Sequence, residues 1–188
     1  MTDYSELSIS AYVADSLNAD FSCRKEFILH HVGQEDRWLA FRDAVREASM
    51  CDDDVIAICL DGHRFTEDYH ACKLLSKILR GAELGTHLLI GGCISFGCLV
   101  PVTYGLYWVD RFDSANFYIV YRQAFQMIVE AKAEPEETLE HVLSRLLPNK
   151  LLAVPFLSIS AIDDGRDALS RLRIFQHAAQ KYNIFKQQ

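Results

Sequence analysis

The sequence predicts one α/β domain in which helices flank a mixed β-sheet. Short apolar runs rich in β-branched residues alternate along the chain with segments whose apolar residues recur at helical spacing, and this alternation is typical of α/β folds. The chain has 188 residues, the length of one domain, and 50% of them are hydrophobic against 24% charged. That balance suits a globular protein with a sizeable core. We therefore expect a single domain over residues 1–188.

The first half of the chain supplies strands and helices in turn. Alternating apolar residues predict a strand within residues 7–17, and the run 26–32 predicts a second strand. Over residues 34–50, aromatic and aliphatic residues recur three and four positions apart, which predicts a helix. Residues 55–60, VIAICL, predict a buried strand, and the polar turn DGHR follows it. Helical spacing then resumes over residues 71–79.

A long apolar stretch follows the central helix. Residues 88–109 carry no charged side chain, but Pro101 and several glycines break helical continuity. Two buried strands, 88–90 and 102–109, explain this stretch better than a membrane span does. We therefore expect no integral membrane span, and peripheral membrane contact is the minor alternative.

The second half is predicted to be mainly helical. Residues 117–129 fit a helix, although 117–121 alone also fit a strand. A proline among acidic residues predicts the start of a helix over 135–147. Residues 151–159 are apolar but interrupted by Pro155, which predicts an edge strand or an extended connection.

The end of the chain predicts a helix over residues 164–182 that packs on the domain. Its outer face would carry a dense basic cluster, and we name it as a candidate contact for nucleic acid or for an acidic protein. A solvated face is the simpler alternative. The cluster includes Arg166, Arg171, Arg173 and Lys181.

Charge and cysteine content exclude several classes of protein. The net charge of −7 argues against a broadly basic surface that coats DNA, whereas a local basic patch is compatible with it. The six cysteines form no C-x-x-C pair, so we expect reduced thiols and a cytoplasmic protein, with Cys59 and Cys72 as small core residues. Residues 1–6 lack the cationic and apolar regions of a signal peptide.

The turn between the central strand and helix is the strongest candidate site. The first amides of a helix lack internal partners and attract anions. Gly62 would let the backbone approach a phosphate, with His63 and Arg64 as cations beside it. Glu67 and Asp68 are candidate ligands of a metal ion on that phosphate. The alternative is a plain connection whose polar residues only satisfy backbone amides.

This stretch resembles a known family. Residues 60–65, LDGHRF, and residues 68–75, DYHACKLL, are similar to the strand, turn and helix of ParB-like proteins, in which an (I/V)-D-G-H-R turn leads to a helix containing A-x-x-L. Sulfiredoxin has a related turn with a cysteine. That cysteine is missing here because Asp61 and Gly62 precede His63, so a sulfiredoxin-type redox enzyme is a weak alternative.

The resemblance implies a ParB/sulfiredoxin-like (ParB/Srx) fold and a nucleotide cofactor. ATP or another nucleoside triphosphate, with Mg²⁺, would be held by Gly62, His63 and Arg64, and Asp61 would join His63 and Arg64 in catalysis. Small plasmid-encoded fertility-inhibition factors share this fold. Membership among them would imply ATPase and DNase activity, and a block of DNA transfer (conjugation) through a type IV secretion system.

Two further expectations complete the functional hypothesis. Gly91 and Gly92 directly follow an apolar strand, and they could bring backbone amides to the nucleotide if that strand lies near the Gly62 turn; a bulge is the commoner use of such a pair. The alternative function is a non-catalytic inhibitor that binds a secretion-system protein or another partner, with the turn acting only as scaffold.

Overall fold

The fold is built around a mixed eight-stranded β-sheet, on which the helices pack. The computed structural model describes residues 8–14, 21, 24–33, 36–160 and 170. The helices that run through these residues are α1 (Arg37–Met50), α2 (Ala71–Glu83), α3 (Arg122–Glu130) and α4 (Leu139–Leu146). The strands are β1 (Ile9–Val13), β2 (Phe27–His31), β3 (Val55–Cys59), β4 (His63–Phe65), β5 (Leu88–Ile90), β6 (Ser95–Phe96), β7 (Leu99–Thr103), β8 (Leu106–Val109), β9 (Phe112–Asp113), β10 (Phe117–Tyr121), β11 (Lys150–Ala153) and β12 (Ser158–Ser160).

The strand order across the sheet is β2-β1-β3-β10-β5-β11-β8-β7. β1 is parallel to both β2 and β3, and β11 is parallel to β5. β10 lies between β3 and β5 and runs antiparallel to both. β8 and β7 form an antiparallel hairpin at the far edge. The prediction of a mixed α/β fold with flanking helices is therefore confirmed.

Alternation along the central strands divides the core into two layers. Successive side chains of a strand point to opposite faces. Ile56 and Ile58 of β3 join a buried cluster that includes residues of α1, α3 and α4. Ala57 and Cys59 join a second cluster, which includes the buried side of α2. Helices consequently cover both faces of the sheet.

The structure corrects the predicted elements at several points. A short strand, β4, separates the Gly62 turn from α2, so the turn does not lead directly into the helix. Residues 117–121 form the strand β10 rather than the first part of a helix, because their backbone pairs with β3 on one side and β5 on the other and their side chains are buried on both faces of the sheet. A helix, α3, begins only at Arg122, whose side chain is exposed.

The later elements also differ from expectation. The predicted strand 102–109 is the β7–β8 hairpin, which turns at Gly105, where φ is 74°. The helix predicted over 135–147 begins at Leu139, because the Thr138 hydroxyl accepts a hydrogen bond from the His141 amide and caps it there. β11 lies inside the sheet between β5 and β8, so it is not an edge strand. The helix predicted over 164–182, with its basic residues, lies outside the described residues.

The predictions about a membrane span and about the burial of the cysteines can be compared with the structure. None of the helices in the described part of the chain combines the length and apolar character needed to cross a membrane. Cys59 is buried, as predicted, but Cys72 is exposed on the outer side of α2, so its predicted core position is wrong.

Gly91 and Gly92 are used for close packing. Both are buried. A Cβ atom at Gly91 would lie 2.6 Å from Cδ1 of Phe117, and one at Gly92 would overlap the carbonyl oxygen of Ser158. The Gly91 carbonyl also accepts hydrogen bonds from the amides of Leu157 and Ser158. The pair therefore lets the chain after β5 touch β10 and the segment that leads into β12.

We expect Gly92→Ala to lower the free energy of unfolding by about 1–3 kcal/mol, because the added methyl group forces the Ser158 backbone aside. Gly33→Ala is the matched control, since no atom lies within 4 Å of a Cβ atom there. Urea unfolding of both variants measures the effect. Equal stability of the two variants would contradict the packing role.

Lys77 ties α2 to the far end of the sheet. Its amine donates hydrogen bonds to the carbonyl oxygens of Gly105 (2.7 Å) and Val154 (3.4 Å). Burial, with a smaller contribution from Lys73, lowers the pKa of Lys77 to about 8 from an ordinary value of 10.5. A neutral amine still has hydrogens for both carbonyls, so the link survives deprotonation.

The pKa of Lys77 predicts a pH dependence. Because the folded pKa lies below the unfolded one, the unfolded state binds more protons between about pH 8 and pH 10.5, and stability rises with pH in that window. We expect the free energy of unfolding of the wild type to rise relative to Lys77→Met from pH 8 to pH 10. A pH-independent difference in urea unfolding would contradict this assignment.

Candidate functional site

A cleft of about 980 Å³ opens at the edge of the sheet where β3 and β5 end. Its walls come from the start of α1, the turn after β3, the loop that precedes β10 and the segment between α3 and α4. In open α/β sheets, ligands bind in the crevice outside the carboxyl ends of the strands. The polar residues that line the cleft are Asp36, Arg37, Arg42, Asp61, Asp113, Ser114, Asn116, Lys132, Glu134, Glu137, Thr138, Glu140 and Ser160.

Some of these charged groups form hydrogen bonds with other protein groups in the walls of the cleft. The Asp36 carboxylate caps α1 by accepting a hydrogen bond from the Leu39 amide at 2.9 Å. Arg37 donates to Glu140 at 2.8 Å across the cleft floor. Glu137 accepts two hydrogen bonds from Arg145, at 2.9 and 2.8 Å. These groups fix the shape of the cleft.

The remaining charges have a long ion-pair contact or none with the described residues. Nε of Arg42 is buried and makes no hydrogen bond with the described residues. The Asp43 carboxylate oxygen lies 3.9 Å from it and already accepts a hydrogen bond from Arg46. Lys132 and Asp61, in contrast, form no ion pair within residues 36–160. The cleft thus holds Lys132 and Asp61 with no ion-pair partner in the described protein, and Arg42 with one long contact to Asp43.

An apolar wall borders these charges. Trp38 is almost fully buried beneath the cleft, while Leu39 is 44% exposed at its rim. Ile94, Pro135 and Leu139 continue this surface. The cleft therefore offers both ionic groups and an apolar face, the usual make-up of a small-molecule site.

The predicted turn contributes one residue to the cleft. Asp61 is exposed and lines it. Gly62 has a φ of 72°, and the Asn116 side-chain nitrogen lies 3.7 Å from the position that a Cβ atom would take. A left-handed conformation of this kind favours glycine. Gly62 thus makes the bend that turns Asp61 towards the cleft.

His63 and Arg64 point in opposite directions because they are neighbours on β4. His63 is 6% exposed, and its Nδ1 lies 2.9 Å from the Ser158 hydroxyl. Its ring packs against Phe65 and Phe117, with centroids 4.3 and 5.4 Å away. The Arg64 side chain is exposed on the outer side of the strand. Neither residue lines the cleft, and their predicted role at a phosphate stays a prediction.

The other predicted site residues are dispersed. Glu67 and Asp68 are exposed in the turn before α2, and no cluster of three or more metal-ligating side chains occurs among the described residues. Gly91 and Gly92 are covered by protein atoms. Arg166, Arg171, Arg173 and Lys181 lie outside the described residues. Their predicted roles stay predictions.

Sequence reasoning missed most of the residues that meet in the cleft. Arg37, Arg42, Asn116 and Lys132 are not among the predicted site residues. Asp113 lies in the polar turn DRFDS, residues 110–114, and it was not predicted as a site residue either. The one usable signal was the position of this turn directly before an apolar strand, because loops at strand ends gather at the edge of a sheet.

Comparisons with known proteins give distant structural similarity. No family model matches the sequence, and no curated protein matches it. The A197 protein of STIV superposes with a TM-score of 0.49 at 10% identity, over 82% of this chain and 83% of that one. The apo form of a UDP-glucose pyrophosphorylase superposes with a TM-score of 0.45 at 10% identity, over 68% of this chain. The chain spans 55% of the length of that pyrophosphorylase.

The burial of His63 predicts a structural effect for its removal. His63→Ala should lower the free energy of unfolding by about 1–3 kcal/mol, because the buried Ser158 hydroxyl loses a partner. Arg64→Ala, the control on the same strand, should change it by no more than about 0.5 kcal/mol, since its side chain is exposed. Thermal unfolding measures both. A destabilised Arg64→Ala beside an unaffected His63→Ala would contradict the arrangement.

Proposed function

We propose that the chain is an enzyme that binds a nucleotide, ATP or another nucleoside triphosphate, in the cleft and hydrolyses a phosphoester or phosphoanhydride bond there. The observation that carries the proposal is the meeting of charges of both signs in one cleft, Arg42 and Lys132 with Asp61 and Asp113, beside an apolar wall. A nucleotide has a matching composition: an anionic chain of phosphates, a metal ion on that chain and an apolar base.

The phosphates would meet the cations. A guanidinium forms charge-assisted hydrogen bonds to phosphate that are stronger than bonds between neutral groups. Arg42 suits this role because it lines the cleft, and its ion-pair contact within the described part of the chain, to Asp43, is long at 3.9 Å. Lys132 would add a second cation from the opposite wall.

Asp61 and Asp113 would hold Mg²⁺ together with the phosphates. Mg²⁺ in nucleotide sites is bound by one or two carboxylates, with phosphate oxygens and water completing the shell. Such a site needs fewer than three protein ligands, so it requires no preformed metal cluster. The ion would withdraw charge from the phosphoryl oxygens and make the phosphorus easier to attack.

The apolar wall would receive the base. Leu39 and Pro135 present apolar surface at the rim, with Trp38 directly beneath. Aromatic and aliphatic surfaces bind bases by stacking and by burial of apolar area. The family resemblance implies a different site for the phosphates. It places them at the turn residues Gly62, His63 and Arg64.

The resemblance to ParB/Srx-like proteins adds a biological setting to the proposal. Among them, the plasmid-encoded fertility-inhibition factors combine nucleotide hydrolysis with DNase activity. In this setting the chain would act in the cytoplasm, with peripheral membrane association as the minor alternative, and would block conjugation through a type IV secretion system. DNA would bind through the basic residues near the C-terminus.

A non-catalytic inhibitor is the second candidate, and the β7–β8 hairpin favours it. β7 is the last strand of the sheet. Val100, Val102 and Tyr104 are 50%, 40% and 91% exposed on and beside it. Exposed apolar residues on an edge strand are a feature of protein-binding surfaces. Such a protein would bind its partner without a nucleotide.

Trp38 allows a direct test of the enzyme proposal. Trp108→Phe leaves Trp38 as the only tryptophan, since the chain has two. Titration of this variant with ATP, CTP, GTP and UTP, each with and without Mg²⁺, should change its fluorescence for at least one nucleotide. Asp61→Asn should remove the Mg²⁺ dependence. No binding under any condition would contradict the proposal and favour the inhibitor.

Two substitutions locate the phosphates. Arg42→Met should weaken binding about tenfold or more, the effect of losing a charge-assisted hydrogen bond. Arg80→Met is the matched control, because Arg80 is an exposed arginine on α2, paired only with Glu83 among the described residues. If Arg64→Met weakens binding and Arg42→Met does not, the phosphates lie at the turn instead of in the cleft.

A further inference from the structure

Arg37 joins three parts of the chain that are far apart in sequence. From the first turn of α1, its Nη2 donates to Glu140 Oε1 at 2.8 Å and to the Ala115 carbonyl at 2.9 Å. Its Nη1 donates to Asn116 Oδ1 at 3.3 Å. The fork of the guanidinium matches this set of acceptors, which a lysine ammonium could not reach together. One side chain therefore holds α1, the loop before β10 and the start of α4.

The buried Glu140 carboxylate needs the Arg37 guanidinium as its partner. Its side chain is only 7% exposed, and Arg37 is its ion-pair partner in the described protein. The Tyr118 hydroxyl contacts the same carboxylate oxygen at 3.2 Å and the Ala115 carbonyl at 2.5 Å. Removing one member of a buried ion pair leaves an uncompensated charge, which is strongly unfavourable. The ion pair with Glu140 therefore fixes the position of the Arg37 side chain.

The link continues to the turn after β3. Asn116 is buried, and its carbonyl accepts a hydrogen bond from the Leu60 amide at 2.9 Å. Its side-chain nitrogen lies 3.7 Å from the position that a Cβ atom would take at Gly62. Arg37 thus supports, through Asn116, the bend that directs Asp61 into the cleft. It also supports the loop that carries Asp113.

We propose that Arg37 is a positioning residue, which sets the separation of the carboxylates Asp61 and Asp113 without contacting the ligand itself. Its hydrogen bonds go to protein acceptors, whereas Arg42, one turn further along α1, has none among the described residues. The two arginines therefore have different roles: Arg37 fixes the geometry of the cleft, and Arg42 is available to an anion. The ligand part of this inference rests on the proposed function.

Hydrogen exchange tests the positioning role without any ligand. Arg37→Lys keeps the charge but loses the fork. We expect exchange about tenfold faster in the peptides that cover residues 58–62 and 113–118, and unchanged exchange in β5. Arg122→Lys is the matched control, because Arg122 pairs with Asp52 and Asp54 on the surface.

Glu140→Gln tests whether the two residues act as a unit. Combined with Arg37→Lys, it should give exchange no faster than that of the more affected single variant, because both changes break the same link. Unchanged exchange in Arg37→Lys, or additive effects of the two substitutions, would overturn the positioning role.

Nucleotide affinity supplies the second readout. The Kd for the Mg²⁺–nucleotide complex should rise about tenfold in Arg37→Lys, and that for the nucleotide without Mg²⁺ should change little, because the carboxylates are misplaced while Arg42 is intact. An equal loss with and without Mg²⁺, at normal exchange, would assign Arg37 to the ligand and contradict the proposal. If the wild type binds no nucleotide, the proposed function fails, and the exchange results still decide the role of Arg37.

Discussion

The strand β10 is the constraint on which the rest of the structure depends. All five of its residues are buried, and it pairs with β3 on one side and β5 on the other. Because it runs antiparallel to both, the loop before it lies at the edge where those strands end. That loop follows Asp113, the last residue of β9, and carries Asn116; it meets the turn that carries Asp61. The position of the cleft thus follows from the direction of one central strand.

The charges around the cleft serve two different purposes. Arg37 and Glu140 form a link between chain segments, and burial of the carboxylate makes this link costly to break. In the described part of the chain, Arg42 has only a long ion-pair contact with Asp43 and Asp61 has none, so both remain available to a ligand. A site of this kind holds its reactive groups on walls that are fixed by other residues, which reduces the loss of conformational freedom when a ligand binds.

Much of the fold could be predicted from hydrophobic periodicity, and the failures have physical causes. β3 and α2 were found because a continuous apolar run and a one-sided stripe are distinct patterns. β10 is buried on both faces, so it lacks the alternation that marks a half-exposed strand, and it merged with α3 in the prediction. β4 is too short to show a pattern, yet its alternation decides that His63 points inwards and Arg64 outwards. Asp61 was predicted as a site residue and does line the cleft.

Most of the cleft could not be predicted, because tertiary structure alone brings its residues together. Arg37 and Glu140 are separated by 103 positions in the sequence, and no local pattern connects them. The measurement that tests the account most directly is an NMR titration of the ¹⁵N-labelled protein with the Mg²⁺–ATP complex, repeated with the other nucleoside triphosphates. The account predicts amide shifts at residues 39–42, 61, 113–116 and 132–138 for at least one of them. Shifts confined to residues 62–71, or none for any nucleotide, would contradict it.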